Sequence, residues 1–110
     1  MSYNIIPIEK FKKEAKRLIK KYPSLKKELI ELAALLKLAP TAGTSLGNNA
    51  YKIRISIKSK SAGKSGGARV ITYVVTENEE IYLLTIYDKA ELDTIDDKTL
   101  RRIITSIKLK

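Results

Sequence analysis

Four side chains in the stretch YKIRISIKSKSAGKSGGARVITYVV, residues 51 to 75, have the types needed to grip a phosphodiester: Lys52, Arg54, Arg69 and Tyr73. The first arm alternates Ile53, Ile55 and Ile57 against Lys52, Arg54, Ser56 and Lys58, and the two-residue period of a strand sends these sets to opposite faces. One face is apolar and the other is basic. The second arm opens with Arg69 and runs apolar and β-branched through Val75, the pattern of a central strand buried on both sides. Pairing the arms as a hairpin sets Arg69 and Tyr73 beside Lys52 and Arg54 on one surface. A compact group of cations next to an aromatic ring suits the holding and straining of an RNA phosphodiester.

Composition narrows the chemistry further. A chain of 110 residues with 44% hydrophobic content makes one domain, residues 1 to 110, around one core. It contains no cysteine and no histidine, so disulfides, thiolate nucleophiles and the commonest general base and metal ligand are all missing. Neither a metal nor another cofactor is expected, and any catalysis falls to Lys, Arg, Tyr or a carboxylate. The first residues lack the apolar core of a signal peptide and no run of 18 apolar residues occurs, which argues against export and membrane spanning. The expected compartment is the cytoplasm.

The net charge of +10 is concentrated in the first part of the chain. Residues 1 to 60 carry 14 Lys and Arg against 4 acids, whereas residues 61 to 110 carry 8 of each, so the first 60 account for the whole excess. A field of that kind selects a polyanionic partner, nucleic acid above all. Any single helix lysine is explained equally well as part of a solvated face; the field as a whole is the stronger signal.

The elements that must position these residues follow from periodicity. Ser2 to Ile6 reads as a short strand ended by Pro7. Ile8, Phe11, Ala15, Leu18, Ile19 and Tyr22 step at helical spacing, and Pro23 closes that helix. Ser24 is the expected N-cap of a second helix with Leu25, Leu29, Leu32, Ala33 and Leu36 as its buried stripe, ending before Pro40; the two helices form an antiparallel hairpin. Pro40 to Asn49 reads as a turn-rich linker. Beyond the hairpin, Glu77 to Glu79 make an acidic turn and Ile81 to Tyr87 a further apolar strand. Thr94 with Asp97 resembles a capping box for a last helix bearing Leu100, Ile103, Ile104 and Ile107. The resulting α+β order is β-α-α-β-β-β-α, a mostly antiparallel sheet with the helices expected on one face.

The loop Ser59 to Ala68 contains GKS at Gly63 to Ser65, which invites a nucleotide-binding reading. A phosphate-binding P-loop needs a glycine five residues earlier, where Lys58 stands, and must open a helix, whereas this loop leads into a strand. Both conditions fail. The loop is read as a hairpin connection in which Lys60 and Lys64 are candidate contacts to a nucleic-acid backbone.

The tracts FKKEAKRLIKKYPSLKKEL, YKIRI, KSGGARVITYVV and LLTIYDKAE together resemble the RelE/ParE superfamily of bacterial toxins, closest to its HigB-like branch. The resemblance covers nearly the whole chain and implies the RelE-like fold in the element order above. It implies a toxin of a type II toxin–antitoxin pair: a nuclease member enters the ribosomal A site and cuts messenger RNA, and a cognate antitoxin protein silences it. Its partners would then be the antitoxin, the ribosome with its RNA, and messenger RNA.

By the same resemblance the catalytic positions are Lys52 and Arg54 for the Lys-x-Lys pattern, Arg69 for the arginine opening the next strand, and Lys89 for a basic residue after the last strand. RelE also carries a C-terminal tyrosine that stacks on the substrate base; this chain ends IKLK, and Tyr73 and Tyr87 are the substitutes. The implied reaction is metal-independent attack of the ribose 2′-hydroxyl on the adjacent phosphate. Lys52 would take the proton, and Arg54 and Arg69 would stabilise the transition-state charge. Two other readings stand beside it: a ParE-like inhibitor of DNA gyrase, which would not need the Lys52, Arg54 and Arg69 group, and a catalytically silent RNA-binding module using only the basic field.

Overall fold

The computed structural model describes residues 3–59, 67–92 and 94–108. Its elements are β1 (Asn4–Pro7), α1 (Glu9–Lys21), α2 (Leu25–Leu38), β2 (Thr44–Gly47), β3 (Ala50–Ile55), β4 (Ala68–Val75), a 3-10 turn (Thr76–Asn78), β5 (Glu80–Asp88) and α3 (Asp97–Lys108). The strands form one mixed sheet in the order β1-β5-β4-β3-β2, parallel only between β1 and β5. The α+β class and mostly antiparallel sheet agree with the sequence reading. The segment read as a linker, however, contains β2, which pairs with β3 through a two-residue turn. Its short, mostly exposed sequence TSLG lacks the alternation that marks a strand buried on one face.

The helices occupy both sheet faces, a correction to the expected single layer. Phe11, Ala15 and Leu18 of α1 and Leu25, Leu32 and Leu36 of α2 pack with Ile53, Ile55, Val70, Val74, Ile81 and Leu83. On the opposite face Leu100, Ile103 and Ile104 of α3 pack with Ala50, Ile71, Tyr73, Leu84 and Tyr87. A central strand with apolar residues on both faces must be covered on both, and β4 is buried at every position but Val75. Each fully buried Leu or Ile contributes about 1.5–3 kcal/mol, and these are spread over α1 (Leu18), α2 (Leu25, Leu36), β4 (Ile71) and β5 (Ile81, Leu84, Ile86).

Local capping differs from expectation in two places. Ser24 occupies the N-cap position of α2 but makes no capping bond; its hydroxyl instead accepts the Ser59 amide at 2.8 Å and meets the Glu28 carboxylate at 3.3 Å. At α3 the cap is Asp96, whose carboxylate accepts the Thr99 amide at 2.7 Å, so no Thr94–Asp97 box forms. In β5 the register with β4 slips between the Ile71–Thr85 and Thr72–Leu83 pairs. Glu14 of α1 serves that irregularity, accepting the Thr85 hydroxyl at 2.7 Å and the Ile86 amide at 3.3 Å.

Candidate functional site

The hairpin register brings the cations together. Arg54 pairs with Arg69 across β3 and β4, Arg69 pairs with Tyr87 across β4 and β5, and Lys52 lies one alternation away opposite Ile71. Residues paired across a ladder have Cβ atoms about 4.5–5.5 Å apart on one face, so Arg54, Arg69 and Tyr87 form a row. This is the face that α3 shares, opposite the helical pair. Arg54 is exposed, Lys52 is half-buried and Arg69 is only 4% exposed, its guanidinium donating to the Ala68 carbonyl at 3.2 Å. Of the pair, Arg54 is the one that solvent and an approaching anion can reach.

Lys89 follows the last ladder pair, and its amide still reaches the Gly67 carbonyl at 3.0 Å, one step beyond the arginine row. Both sides of Lys89 are fastened to α1 and its C-cap. Buried Asp88 accepts the Tyr22 hydroxyl at 3.0 Å and the Ala90 amide at 2.9 Å. Glu91 takes a two-pronged bond from Arg17, at 2.8 and 3.3 Å, and that hydrogen bond holds the Glu91 carboxyl below its ordinary range. The exit of β5 is therefore held at a fixed place beside the site.

Tyr73 and Tyr87 are both buried in the α3-side core, so each serves packing first. The Tyr87 hydroxyl is buried and finds no hydrogen-bond partner among the described residues, which costs about 1–3 kcal/mol in an ordinary core. Tyr73 sits further along β4, its ring 6.5 Å from that of Tyr82. Lys60 and Lys64, the candidate backbone contacts, lie outside the described residues.

Two close approaches fix the cationic strands. Gly43 has φ of +99°, and a side chain there would run into the Lys52 carbonyl, so the segment before β2 can lie against β3 only with glycine at this position. Gly67 meets the Ile55 carbonyl in the same way at the start of β4, just before Arg69. The continuation of β3 is gripped from the other side by Glu28, a 7% exposed carboxylate that accepts the Lys58 amide at 2.7 Å.

Sequence reasoning missed a feature at the other end of the same face. The β2–β3 turn consists of Asn48 and Asn49, both left-handed with φ of 52° and 65°, and the pair borders a cavity of about 350 Å³ with Tyr73 and Arg101. The dipeptide Asn-Asn was the available signal, since asparagine tolerates φ above zero better than most residues. Among the described residues no group of three or more acidic side chains is placed to hold a metal ion, and no helix is long and apolar enough to cross a membrane.

A five-stranded mixed sheet with a helical pair on one side and a C-terminal helix on the other defines the RelE-like class of fold, and the match to solved structures bears this out. The chain superimposes on the free E. coli toxin RelE carrying two arginine-to-alanine substitutions with a TM-score of 0.62 at 19% identity, covering 84% of this chain and 90% of that one. The intact E. coli RelBE toxin–antitoxin complex gives 0.52 at 22% identity over 79% and 96%. The isolated E. coli RelE toxin gives 0.52 at 18% identity over 96% and 99%. No family model matches the chain. At these identities the likeness is one of fold.

Proposed function

We propose that this chain is the toxin of a type II toxin–antitoxin pair and blocks translation as a metal-independent endoribonuclease, cutting messenger RNA in the ribosomal A site. The observation that carries the reading is the Arg54–Arg69 pair with Lys52 one alternation away on the same face. In the proposed reaction Lys52 takes the proton from a ribose 2′-hydroxyl, whose oxygen attacks the adjacent phosphorus. The bond to the 5′-oxygen breaks, Lys89 returns a proton to that leaving oxygen, and a 2′,3′-cyclic phosphate remains. Arg54 and Arg69 stabilise the added phosphate charge, an effect of about 2.7–4 kcal/mol for one well-placed donor.

The lysine-rich face of α1 supplies docking to ribosomal RNA, and the host supplies orientation, which is worth far more than these weak acids and bases. A cognate antitoxin is the protein partner in this reading, supported by the RelBE complex among structures of the same fold. The finer assignment to the HigB-like branch rests on the likeness of the tracts FKKEAKRLIKKYPSLKKEL, YKIRI, KSGGARVITYVV and LLTIYDKAE taken together. The test is inhibition of reporter synthesis in a translating extract. Lys52→Ala is expected to remove inhibition, and Lys16→Ala, one of many α1 lysines, to weaken it slightly; equal effects would move the assignment to a silent RNA-binding module.

A further inference from the structure

The turn between β2 and β3 is chemically over-specified for a turn. Gly47 pairs with Ala50, leaving Asn48 and Asn49 as a two-residue connection with both central residues at positive φ, the type I′ geometry. Glycine suits the second of these positions best, because it has no side chain to crowd the left-handed backbone. The chain carries asparagine at both. The turn is also held in place, since the Asn49 carbonyl accepts the Val74 amide at 2.9 Å and so sets the pair beside Tyr73. Asparagine adopts this backbone more readily than most residues, and at the second position it also keeps a carboxamide that glycine would lack.

A cavity adjoins the turn. Its volume of about 350 Å³ lies at the small end of ligand pockets, and Asn48, Asn49, Tyr73, Arg101, Ile104 and Thr105 line it. Two carboxamides offer paired donors and acceptors, Tyr73 and Ile104 offer an apolar and aromatic wall, and Arg101 offers a cation on the exposed face of α3. That combination matches a nucleobase edge, a base plane and a phosphate. Arg101 also borders a smaller adjoining cavity, which it shares with Asp97, and it is the cation available to a phosphate in the larger one.

We infer that this cavity is a nucleotide-binding subsite, which reads one base of an RNA strand running along the α3 face. Tyr73 lies four residues from Arg69 on β4, about 13 Å away at the usual strand rise, and Ile71 between them is buried under α3, so a strand gripped by the arginine row would pass round the helix to reach the cavity. The identity of the ligand rests on the RNA substrate proposed above, but the subsite itself can be tested without any cleavage.

The experiment titrates the isotope-labelled full chain with AMP, GMP, CMP and UMP, and separately with a short RNA methylated on its 2′-oxygens so that it cannot be cut. Amide resonances of Asn48, Asn49, Tyr73, Arg101 and Thr105 are expected to shift together, with one base preferred. Response to the mononucleotides as well as to the RNA identifies a site that also takes free nucleotides; response to the RNA alone identifies a reader of the strand. Asn49→Gly is the decisive variant, because it relaxes the turn. Binding is expected to weaken about tenfold, the scale of one lost hydrogen bond, while the melting temperature holds or rises. Absence of clustered shifts with every ligand, or unchanged binding in Asn49→Gly, overturns the subsite. Clustered shifts in a protein that cuts no RNA would instead sink the ribonuclease reading and leave the subsite standing.

Discussion

Arg54 and Arg69 stand directly opposite each other on the β3–β4 ladder, with Tyr87 completing the row on β5. Arg54 is the exposed member of the pair and the one that an approaching phosphate can reach. Arg54→Ala should lower cleavage by about 100- to 1000-fold, the effect of removing one transition-state donor, while the melting temperature stays level or rises. Full activity in this variant, measured by messenger RNA cleavage in a translating extract, would remove Arg54 from the site.

Tyr87 extends the same logic to a neutral group. Its buried hydroxyl has no partner among the described residues, and removing an unsatisfied polar atom should stabilise the fold by about 1–3 kcal/mol. Tyr87→Phe is therefore expected to unfold at higher urea concentration and yet cut RNA more slowly. Greater stability with unaltered cutting would make Tyr87 a core residue alone.

Gly43 tests how the site is held. Gly43→Ala places a Cβ against the Lys52 carbonyl at a φ of +99°, a strain of about 1–3 kcal/mol. Urea denaturation should show that loss, and activity should fall with it because Lys52 is displaced. Undiminished stability in the Gly43→Ala variant would mean that this segment does not brace β3.

Two surface carboxylates contribute to the acid limb of stability because they are held below their ordinary values of 3.8 and 4.5: Asp96, mainly through the Thr99 hydroxyl and then its amide, and Glu91 through Arg17. A depressed folded value gives stability that is present at neutral pH and lost as pH falls through it, below about pH 4. Asp96→Asn keeps an acceptor for the Thr99 amide and removes the titration. Its melting temperature at pH 7 should lie within about two degrees of the parent, with a smaller drop between pH 5 and pH 3. An identical acid slope in both proteins would contradict the assignment.

Most of the fold was legible because its signals are periodic. The α1 stripe from Ile8 to Tyr22, the apolar run of β4 and the alternation of Ile53, Ile55 and Ile57 each declare an element and its buried side, and the last two also fix which face carries Lys52 and Arg54. The cation row was legible for that reason. The placement of α3 was not, because its stripe says that it packs without saying on which face. β2 was hidden by its brevity and polarity, and with it the Asn48–Asn49 turn. Ser24 and Asp96 show the same limit on a smaller scale: a hydroxyl or carboxylate near a helix start has several possible partners, and tertiary contacts such as Ser59 decide among them.

In the proposed mechanism, orientation by the ribosome supplies what a chain without histidine cannot supply alone, so cutting should depend on the ribosome. The purified protein is incubated with a transcript by itself and with the same transcript paused on ribosomes, and the ends are mapped by primer extension. Cutting is expected in the A-site codon of the paused transcript, with little or none in the free one. Robust cutting of the free transcript would contradict the mechanism, and no cutting in either, with DNA gyrase inhibited, would replace it with gyrase inhibition.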